Sequence, residues 1–507
     1  MSTSSKTLAS KTLDHVRTYH AELTGIRRDL HANPELGLDT PRTADLVARQ
    51  LESWGIEVHR GVGGHGVVGV LRSGNDLRSI GLRADMDALP IAESTGLAYG
   101  SRHSGWMHAC GHDGHTTMLL GAARHLAETR DFSGTVHFIF QPGEEGAGGA
   151  LAMIKDGLFE RFPCDAIFGL HNRPGMPVGQ FGITPGPAMA GGAFFDIEVI
   201  GKGAHGARPN EGVDPVLAAC HMVTSLQSIV ARAISPFDMA VVSVTRIHSG
   251  DAYNVIPERA MLGGTVRAMK RETLASVEKT LGRIATSTAA AFAAHAKLDF
   301  RVIFSPLVNA PEPTREIADA AADLVGEACV DRNRPPQPAS EDFSFMLEKV
   351  PGAFINLGNG EASAPLHNDR YDFNDEAIPY GAALLARIVE RKLSRAGYGC
   401  AKTHRWLHWG LRAATDILRE LRRRVPHGSF PPCGGGTGRG VATKHRARDL
   451  ISCTDSRNSG SACSTPLPVP PPQGGRERCG TALPNRECTE TRHAKLHHPC
   501  EMNLRDR

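Results

Sequence analysis

The sequence of 507 residues contains no apolar run of the roughly 18–20 residues that a membrane-spanning helix requires. Its first twenty residues, MSTSSKTLASKTLDHVRTYH, lack the apolar core of a secretory signal. Cysteine is scarce before residue 394, where only Cys110, Cys164, Cys220 and Cys329 occur. So few cysteines predict reduced thiols and not a disulfide framework. We therefore expect a cytoplasmic protein whose folded core does not bind a membrane.

Positive charge is also scarce over most of the chain. Residues 394–507 hold 20 of the 57 Lys and Arg residues but only 9 of the 54 Asp and Glu residues, which leaves 37 basic and 45 acidic residues in 1–393. A mildly acidic chain of this kind argues against binding nucleic acid through a basic face. The length and the 41% hydrophobic content predict at least two folded domains.

The order of apolar patterns predicts a layered α/β domain with a second domain inserted into it. Helical spacing covers 12–30, 41–55 and 115–128, and strand-like runs cover 67–73, 79–89, 135–141 and 166–172. From residue 186 the order becomes strand, helix, strand, strand, helix, strand, which is the split ferredoxin-like arrangement and ends near residue 304. We expect the first domain to comprise 1–185 and 305–393, and the inserted domain 186–304.

The segment 394–507 has a different composition. It is basic and rich in Cys, Pro and Gly, and too poor in β-branched apolar residues to bury a core, so we expect it to be disordered. One part, 404–424, has the spacing of a basic amphipathic helix that would suit membrane contact or partner docking. An extension without function is the favoured interpretation.

The stretch MHACGHDGH at 107–115 is dense in metal-ligating residue types. Cys110 and His112 are two residues apart, so an extended backbone would place both on one side. Gly111 and Gly114 allow the chain to bend closely around a ligand. The alternative is a polar loop that caps the following helix.

The stretch QPGEEGAGG sets Glu144 and Glu145 side by side in a glycine-rich loop after a predicted strand. Two buried adjacent carboxylates repel each other, which raises one pKa unless a cation is present. A metal ion would leave Glu145 as a ligand and Glu144 as a general base toward an activated water. Taken alone, the same letters also suit a solvated turn.

Two further histidines and two aspartates follow predicted strands or lie in polar loops. His171 closes the strand 166–172, His367 lies in PLHNDRYDFNDE, and Asp85 and Asp87 end another strand. Aspartates in such positions can orient a ligating histidine. A lone histidine at a strand end is more often a structural hydrogen-bonding group than a metal ligand. These positions therefore indicate a metal site only when they are taken together.

Eight motifs in this order resemble the hippurate hydrolase branch of the aminoacylase metallopeptidase family, which includes N-acyl-L-amino-acid amidohydrolases. The resemblance covers about residues 12–393. The motifs are RADMDALP, MHACGHDGHTTMLLGAA, FIFQPGEEGAGGA, GLHNRPGMPVG, GKGAHGARPNEGVDP, NVIPERAMLGGTVRA, SEDFSFM and LHNDRYDFND.

The resemblance implies a two-domain α/β metallopeptidase, with an α/β/α catalytic domain and an inserted ferredoxin-like βαββαβ lid or dimerisation domain. It implies two divalent metal ions, with zinc, manganese, cobalt or nickel all compatible. Glu144 would be the catalytic base. Asp85 matches an aspartate that orients a histidine ligand elsewhere in the family, but Arg83 replaces that histidine here, so we assign Asp85 a supporting role. The implied ligands are Cys110, His112, Glu145, His171 and His367.

The resemblance also implies substrate-binding residues. His205 would reach the active site of a partner subunit, which predicts a homodimer or homotetramer, while Asn254 and Arg267 would hold the substrate. Arg267 suits a bidentate grip on an α-carboxylate. Alternatively, His205 simply lies in a turn and Arg267 pairs with an acidic residue on a neighbouring strand.

The predicted reaction is metal-dependent hydrolysis of an N-acyl-L-amino acid, hippurate-like or N-acetylated, to a carboxylic acid and an amino acid. A dipeptidase and an N-acetyl-diamino-acid deacetylase are the alternatives among enzymes. An alternative of another class is an inactive scaffold whose basic tail docks on a membrane or nucleic acid.

Overall fold

The computed structural model describes residues 11–395. The expectations for 396–507, including the helix at 404–424, lie outside the described residues. Within 11–395, no helix combines the length and the apolar character needed to cross a bilayer.

The larger domain is built on an eight-stranded mixed sheet. Its four central strands, β4 Gly134–Gln141, β3 Ser79–Asp85, β5 Ala166–Arg173 and β16 Gly352–Gly358, run parallel to one another. Strands β1 Glu57–Val62 and β2 Gly66–Ser73 extend one edge in antiparallel fashion. The carboxyl ends of the parallel strands therefore lie along a single edge of the sheet, where ligand sites in α/β folds form. In spatial order the strands are β1 Glu57–Val62, β2 Gly66–Ser73, β4 Gly134–Gln141, β3 Ser79–Asp85, β5 Ala166–Arg173, β16 Gly352–Gly358, β6 Phe181–Gly182 and β15 Val330–Asp331.

Helices cover both faces of this sheet. The side chains of alternate strand residues pack into two different apolar clusters, one on each face of the sheet. Leu82 and Phe138 belong to one cluster, and Ile139 and Ile167 belong to the other. This alternation is what a sheet buried on both faces requires. The helices are α1 (11–17), α2 His20–Ala32, α3 Pro41–Ser53, α4 His112–Thr129, α5 Gly149–Lys155, α6 Leu158–Arg161, α9 Pro311–Val325, α10 Phe343–Leu347 and α11 Ile378–Lys392.

The predicted helix 12–30 is wrong as a single element, because the structure divides it into α1 and α2. The break falls at Thr18, whose hydroxyl donates to the His15 carbonyl over 2.6 Å. Side chains of this type compete with the backbone for helical hydrogen bonds, and nothing in the apolar spacing signals the competition. The predicted helix 41–55 forms as α3, with Pro41 at its first turn, where a missing N–H costs nothing.

The second domain is a four-stranded antiparallel sheet with helices on one face and its own apolar core. The strand and helix order is the βαββαβ order predicted from the sequence. In space the strands are β10 Ala240–Ser249, β12 Arg259–Ala268, β8 Gly191–Ile200 and β13 His295–Phe304, and the helices are α7 Pro215–Leu226 and α8 Arg271–Ala291.

Two short strand pairs complete the described chain. The pair β7 Gly186–Met189 and β14 Leu307–Asn309 lies where the chain leaves the larger domain and returns to it. The pair β9 Ala204–His205 and β11 Val255–Ile256 lies within the second domain. The protein is thus a two-domain α/β structure.

Candidate metal centre

The predicted ligands converge at the carboxyl edge of the central sheet. Strand β3 ends at Asp85, β4 is followed by the loop that carries Glu144 and Glu145, and β5 ends just after His171. His112 is the first residue of α4, which packs against β3. Parallel strand ends thus bring together residues that are far apart in the sequence.

Gly111 makes the turn between the two donors of MHACGHDGH. It has φ +96°, in the left-handed region, where a side chain is disfavoured. A Cβ atom at this position would lie 2.5 Å from Asn172 Oδ1 and 2.6 Å from Tyr371 Oη, too close for any real contact. Glycine therefore allows Cys110 and His112 to face the same point.

Two groups of three donor atoms share one thiol. Cys110, His112 and His171 form one group, and Cys110, Glu145 and His367 form the other, with all donor atoms of each group within 4.8 Å of one another. The Cys110 Sγ lies 3.4 Å from His171 Nε2, and Glu145 Oε1 lies 3.3 Å from His367 Nε2. Tetrahedral donors about 2.1 Å from one ion would lie about 3.4 Å apart. Both spacings fit a shared ion.

The orientation of the histidine rings fits metal binding as well. His112 Nδ1 lies 2.8 Å from the Asp87 carbonyl oxygen, and His171 Nδ1 lies 2.7 Å from that of Asn172. Because a carbonyl only accepts, each Nδ1 carries a proton, and Nε2 is the ring nitrogen left to bind a cation. His112 Nε2 is buried without a hydrogen-bond partner, which a cation would supply. The mixed sulfur, nitrogen and oxygen donors suit a transition metal.

Two aspartates hold the loop that presents the glutamates. The Asp87 carboxylate accepts the backbone N–H groups of Glu144 and Glu145 over 3.0 and 3.1 Å. The Asp342 carboxylate accepts from the Gln141 amide over 2.7 Å, just before the loop, and from the Ala150 N–H over 2.9 Å, just after it. The loop is therefore fixed in the middle and at both ends.

A buried arginine lies behind the glutamates. Arg83 donates to Asp85 over 2.8 Å, to Glu341 over 3.0 Å, to Asp342 over 3.2 Å and to Gln141 over 2.9 Å. Burial opposes its charge, but these carboxylates outweigh that effect and raise the pKa of Arg83 above its usual range. Arg83 is therefore a permanent cation that balances these buried acids.

Asp85 is part of this support. It accepts from Arg83 and from His115 Nδ1, the latter over 2.6 Å, and its Oδ2 atom lies 3.7 Å from His112 Nε2. Burial would raise its pKa, but the charges of His112, His115 and Arg83 hold it well below its usual range. The Asp85 carboxylate is therefore ionised, and it lies between Arg83 and His112, a proposed metal ligand.

The ionisable donors influence one another strongly. Burial raises the pKa of Glu144 well above its usual range, and the charges of Glu341 and Glu145 add to this effect. Burial also raises the pKa of the Cys110 thiol. Hydrogen bonds to Cys110 and Glu145 raise the pKa of His367 to about 10. Since donors release protons when they bind a cation, we expect metal affinity to increase with pH.

A cavity of about 630 Å³ adjoins the donors. Arg267, from β12 of the second domain, lines it and donates only to Thr265 Oγ1 and the Val266 carbonyl. Among the described residues no carboxylate lies within 4.0 Å of Arg267, so its predicted alternative, a pairing with a neighbouring acid, is wrong. The apolar lining comprises Met189, Phe194, Ile303, Phe304, Phe354 and Leu366.

His205 and Asn254 lie elsewhere. His205, on β9, pairs with Val255 and accepts from the Ala207 N–H over 3.0 Å, and Asn254 immediately precedes β11. Both are exposed and neither lines the cavity of its own chain. Their role in substrate binding stays a prediction.

Sequence reasoning assigned no role to several residues that the structure places around the donors. His115 bridges Asp85 and Asn172, and the Asn172 amide donates to the Tyr371 hydroxyl. For His115 a signal existed, because it follows His112 by three residues and shares its helix face. The supporting roles of Asn172, Asp342 and Tyr371 depend on tertiary neighbours that no local pattern reveals.

Known proteins share this architecture. A family model described as peptidase family M20/M25/M40 matches residues 81–391. The chain is 43% identical to hippurate hydrolase from Campylobacter jejuni over 372 residues, which cover 73% of this chain and 97% of that protein. It is 39% identical over 381 residues to IAA-amino acid hydrolase ILR1-like 4 from Arabidopsis thaliana, covering 73% and 86%.

A solved structure is similar too. The crystal structure of the Bacillus subtilis YXEP protein, described as a dinuclear metal binding peptidase from the M20 family, matches with a TM-score of 0.66 at 34% identity. The match covers 74% of this chain and 99% of that one. These findings confirm the resemblance carried by the eight motifs: the chain belongs to the peptidase family M20/M25/M40, in the branch of the hippurate hydrolases.

Proposed function

We propose that the protein is a metal-dependent amidohydrolase that cleaves N-acyl-L-amino acids to a carboxylic acid and a free amino acid. The observation that carries the proposal is the pair of donor groups sharing Cys110, next to Glu144, in a cavity that also presents Arg267. Donors, base and carboxylate-binding group lie within one cavity, as amide hydrolysis of an acylated amino acid requires.

Two divalent cations would supply Lewis acidity toward the amide carbonyl and the attacking water. Zinc, manganese, cobalt and nickel all accept this mixed donor set. We further propose a cytoplasmic location, where a reducing environment would preserve the Cys110 thiol. The residues proposed to hold the cations are Cys110, His112, Glu145, His171 and His367.

Glu144 is the proposed base. It takes a proton from the attacking water and delivers it to the leaving amine nitrogen, the double role of a carboxylate in amide hydrolysis. Its burial beside other carboxylates strengthens its affinity for that proton. Asp85 acts indirectly, because it fixes His115 and Arg83 behind the donors.

Arg267 is proposed to bind the α-carboxylate of the substrate, since its guanidinium has no acidic partner among the described residues and can offer two parallel donors. The aromatic and aliphatic cavity lining supports an apolar acyl group such as benzoyl or indoleacetyl. The names of the two relatives, hippurate hydrolase and IAA-amino acid hydrolase, agree with such substrates.

We also propose that the second domain, residues 186–304, acts as a lid and dimerisation domain in a homodimer or homotetramer. His205 and Asn254 are exposed together on the β9–β11 pair, away from the cavity of their own chain. A partner subunit's cavity is the place where both could meet substrate.

The experiment that tests the function is a substrate panel with the full-length enzyme, depleted of metal and then supplied with zinc, manganese, cobalt or nickel. The panel contains N-benzoylglycine, N-acetyl-L-methionine, indoleacetyl-L-alanine, a dipeptide and an N-acetylated diamino acid. We expect metal-dependent release of amino acid from the acyl amino acids. Hydrolysis of the dipeptide or the diamino acid alone would redirect the proposal, and no hydrolysis with any metal would favour the inactive scaffold.

A further inference from the structure

A second arginine lines the cavity without an acidic partner. Arg173 is the last residue of β5, and its guanidinium donates to Gln337 Oε1 over 2.6 Å. Among the described residues no Asp or Glu carboxylate oxygen lies within 4.0 Å of its guanidinium nitrogens. Gln337 lines the same cavity and can accept a hydrogen bond but cannot balance the charge.

The surroundings of Arg173 are electrostatically unfavourable for a cation. The residue is half-buried, and the positive charge of Arg334 is close enough to act on it. Arg334 donates to Met176 Sδ and likewise has no carboxylate within 4.0 Å among the described residues. Half-buried positive charge of this kind is usually balanced, and here a bound anion is the group that would balance it.

The strand geometry directs Arg173 toward the site. His171 and Arg173 are two residues apart on β5, so their side chains leave the sheet on the same face. Their Cα atoms are separated by about 6.6 Å along the strand. The distance between Arg173 and His171, a proposed metal ligand, is thus about the length of a substrate side chain. Arg173 lines the same cavity as Arg267.

We infer that the substrate carries a second carboxylate, besides its α-carboxylate, and that Arg173 binds it. The inference rests on the proposed function and narrows its substrate class to N-acyl amino acids with two anionic groups. With Arg267 assigned to the α-carboxylate, Arg173 provides a separate bidentate site. The second carboxylate belongs either to the amino acid side chain or to the acyl group.

Two pairs of matched substrates locate that carboxylate. N-benzoyl-L-glutamate is compared with N-benzoyl-L-glutamine, and N-succinyl-L-alanine with N-butyryl-L-alanine, by kcat/KM of the metal-loaded enzyme. A hydrogen-bonded charge pair predicts a preference of about 10- to 100-fold for the charged member of one pair. No preference in either pair, with N-benzoylglycine still hydrolysed, would overturn the inference and leave the proposed function intact.

Variants test whether Arg173 is responsible. In Arg173→Gln we expect the preference to disappear while kcat/KM for the uncharged member stays within about threefold, and Arg173→Lys to restore part of it. Arg315→Gln, an exposed residue of α9, is the matched control and should keep the full preference. An equal loss for both members of a pair would show that Arg173 only holds Gln337 in place, which would overturn the assignment.

Discussion

Asp87 alone contacts three residues of the candidate centre. Its carbonyl fixes the ring of His112, and its carboxylate fixes the backbone of Glu144 and Glu145. Hydrogen bonds of this kind determine how well the ligands are oriented in the metal-free site. Asp87 is therefore a positioning residue in the proposed mechanism, without contact to the reacting atoms.

Asp87→Asn removes one of the two carboxylate acceptors while keeping the size and the backbone carbonyl. We expect apparent metal affinity to fall about 10- to 100-fold, with most of kcat recovered at saturating metal. The measurement is activity against free metal concentration. Asp14→Asn, an exposed residue of α1, is the control and should behave as the unmodified protein. Unchanged metal dependence in Asp87→Asn would contradict this role.

Glu144→Gln removes the proposed base but keeps the side-chain volume. Because the base moves the proton in the chemical step, we expect kcat to fall by about 10²- to 10⁴-fold with metal content unchanged. Steady-state kinetics and elemental analysis measure the two quantities. Glu361→Gln, on an exposed loop, serves as the control. Near-normal turnover of Glu144→Gln would exclude Glu144 as the base.

At this scale the sequence indicated the proposed donors, whose role as ligands stays a prediction, more readily than the residues that support them. Cysteine, histidine and paired glutamates in glycine-rich loops are recognisable because few other roles need them together. Asp342 was unpredictable, since its partners Gln141 and Ala150 approach it only through tertiary packing. The role of Asp87 was recognised only as a general possibility for aspartates after a strand.

At the scale of elements, the turn before α4 depends on Gly111. Gly111→Ala would place a Cβ against Asn172 and Tyr371 in addition to the left-handed backbone penalty. Gly105→Ala is the matched control, because Gly105 has φ +82° with no atom within 4 Å of the added Cβ. We expect Gly105→Ala to lose about 1 kcal/mol of unfolding free energy and keep its activity. Gly111→Ala should lose more stability and most of its metal binding.

A buried network joins α2 to the start of α4. His31 Nδ1 lies 2.9 Å from Asp113, and its Nε2 lies 3.6 Å from Glu93. Burial opposes protonation of His31, but the hydrogen bond to Asp113 and the nearby Glu93 carboxylate outweigh it and raise the pKa of His31 to about 9. A folded pKa above the unfolded value near 6.5 means that the stabilisation is complete below pH 6.5 and is lost as pH rises through 9.

The comparison of His31→Gln with the unmodified protein tests this network. The difference in their unfolding free energies should shrink by about 3 kcal/mol between pH 6 and pH 10. Denaturant titrations at several pH values measure it, and taking the difference cancels the pH response of other groups. His295→Gln, exposed on β13, should show no such trend. A difference that is constant with pH would contradict the assigned protonation.

Most elements were predictable because their apolar periodicity is strong. Strands β2, β4 and β5 and helix α3 follow the predicted spans closely. Strand β3 ends at Asp85, before the predicted 89, and the split of 12–30 into two helices shows where the pattern is insufficient. Strand β1 was not predicted, because its burial pattern is mostly exposed and its pairing with β2 supplies the order.

At the scale of the whole molecule, the proposed sharing of His205 between subunits predicts complementation. Glu144→Gln and His205→Gln should each be nearly inactive alone. A heterodimer of the two has both residues intact in one of its two sites, so it should show about half of the normal activity. Co-expression with two affinity tags and assay of the doubly purified species measures it. An inactive heterodimer, or a monomer with full turnover, would contradict the sharing.

The sequence predicted the two-domain arrangement because the strand and helix order changes type at residue 186 and again after 304. It did not predict the short strand pairs, which are too brief to leave a pattern.

The path of the chain through β5, the second domain and β16 has a consequence for biosynthesis. On the ribosome, β5 emerges with an open edge, because its neighbour β16 is translated only after the whole second domain. The second domain is continuous in sequence, so it can fold while the edge of β5 is still unpaired. His367 follows β16 in the chain, so the complete set of proposed cation ligands exists only after the strand that covers this edge has been synthesised.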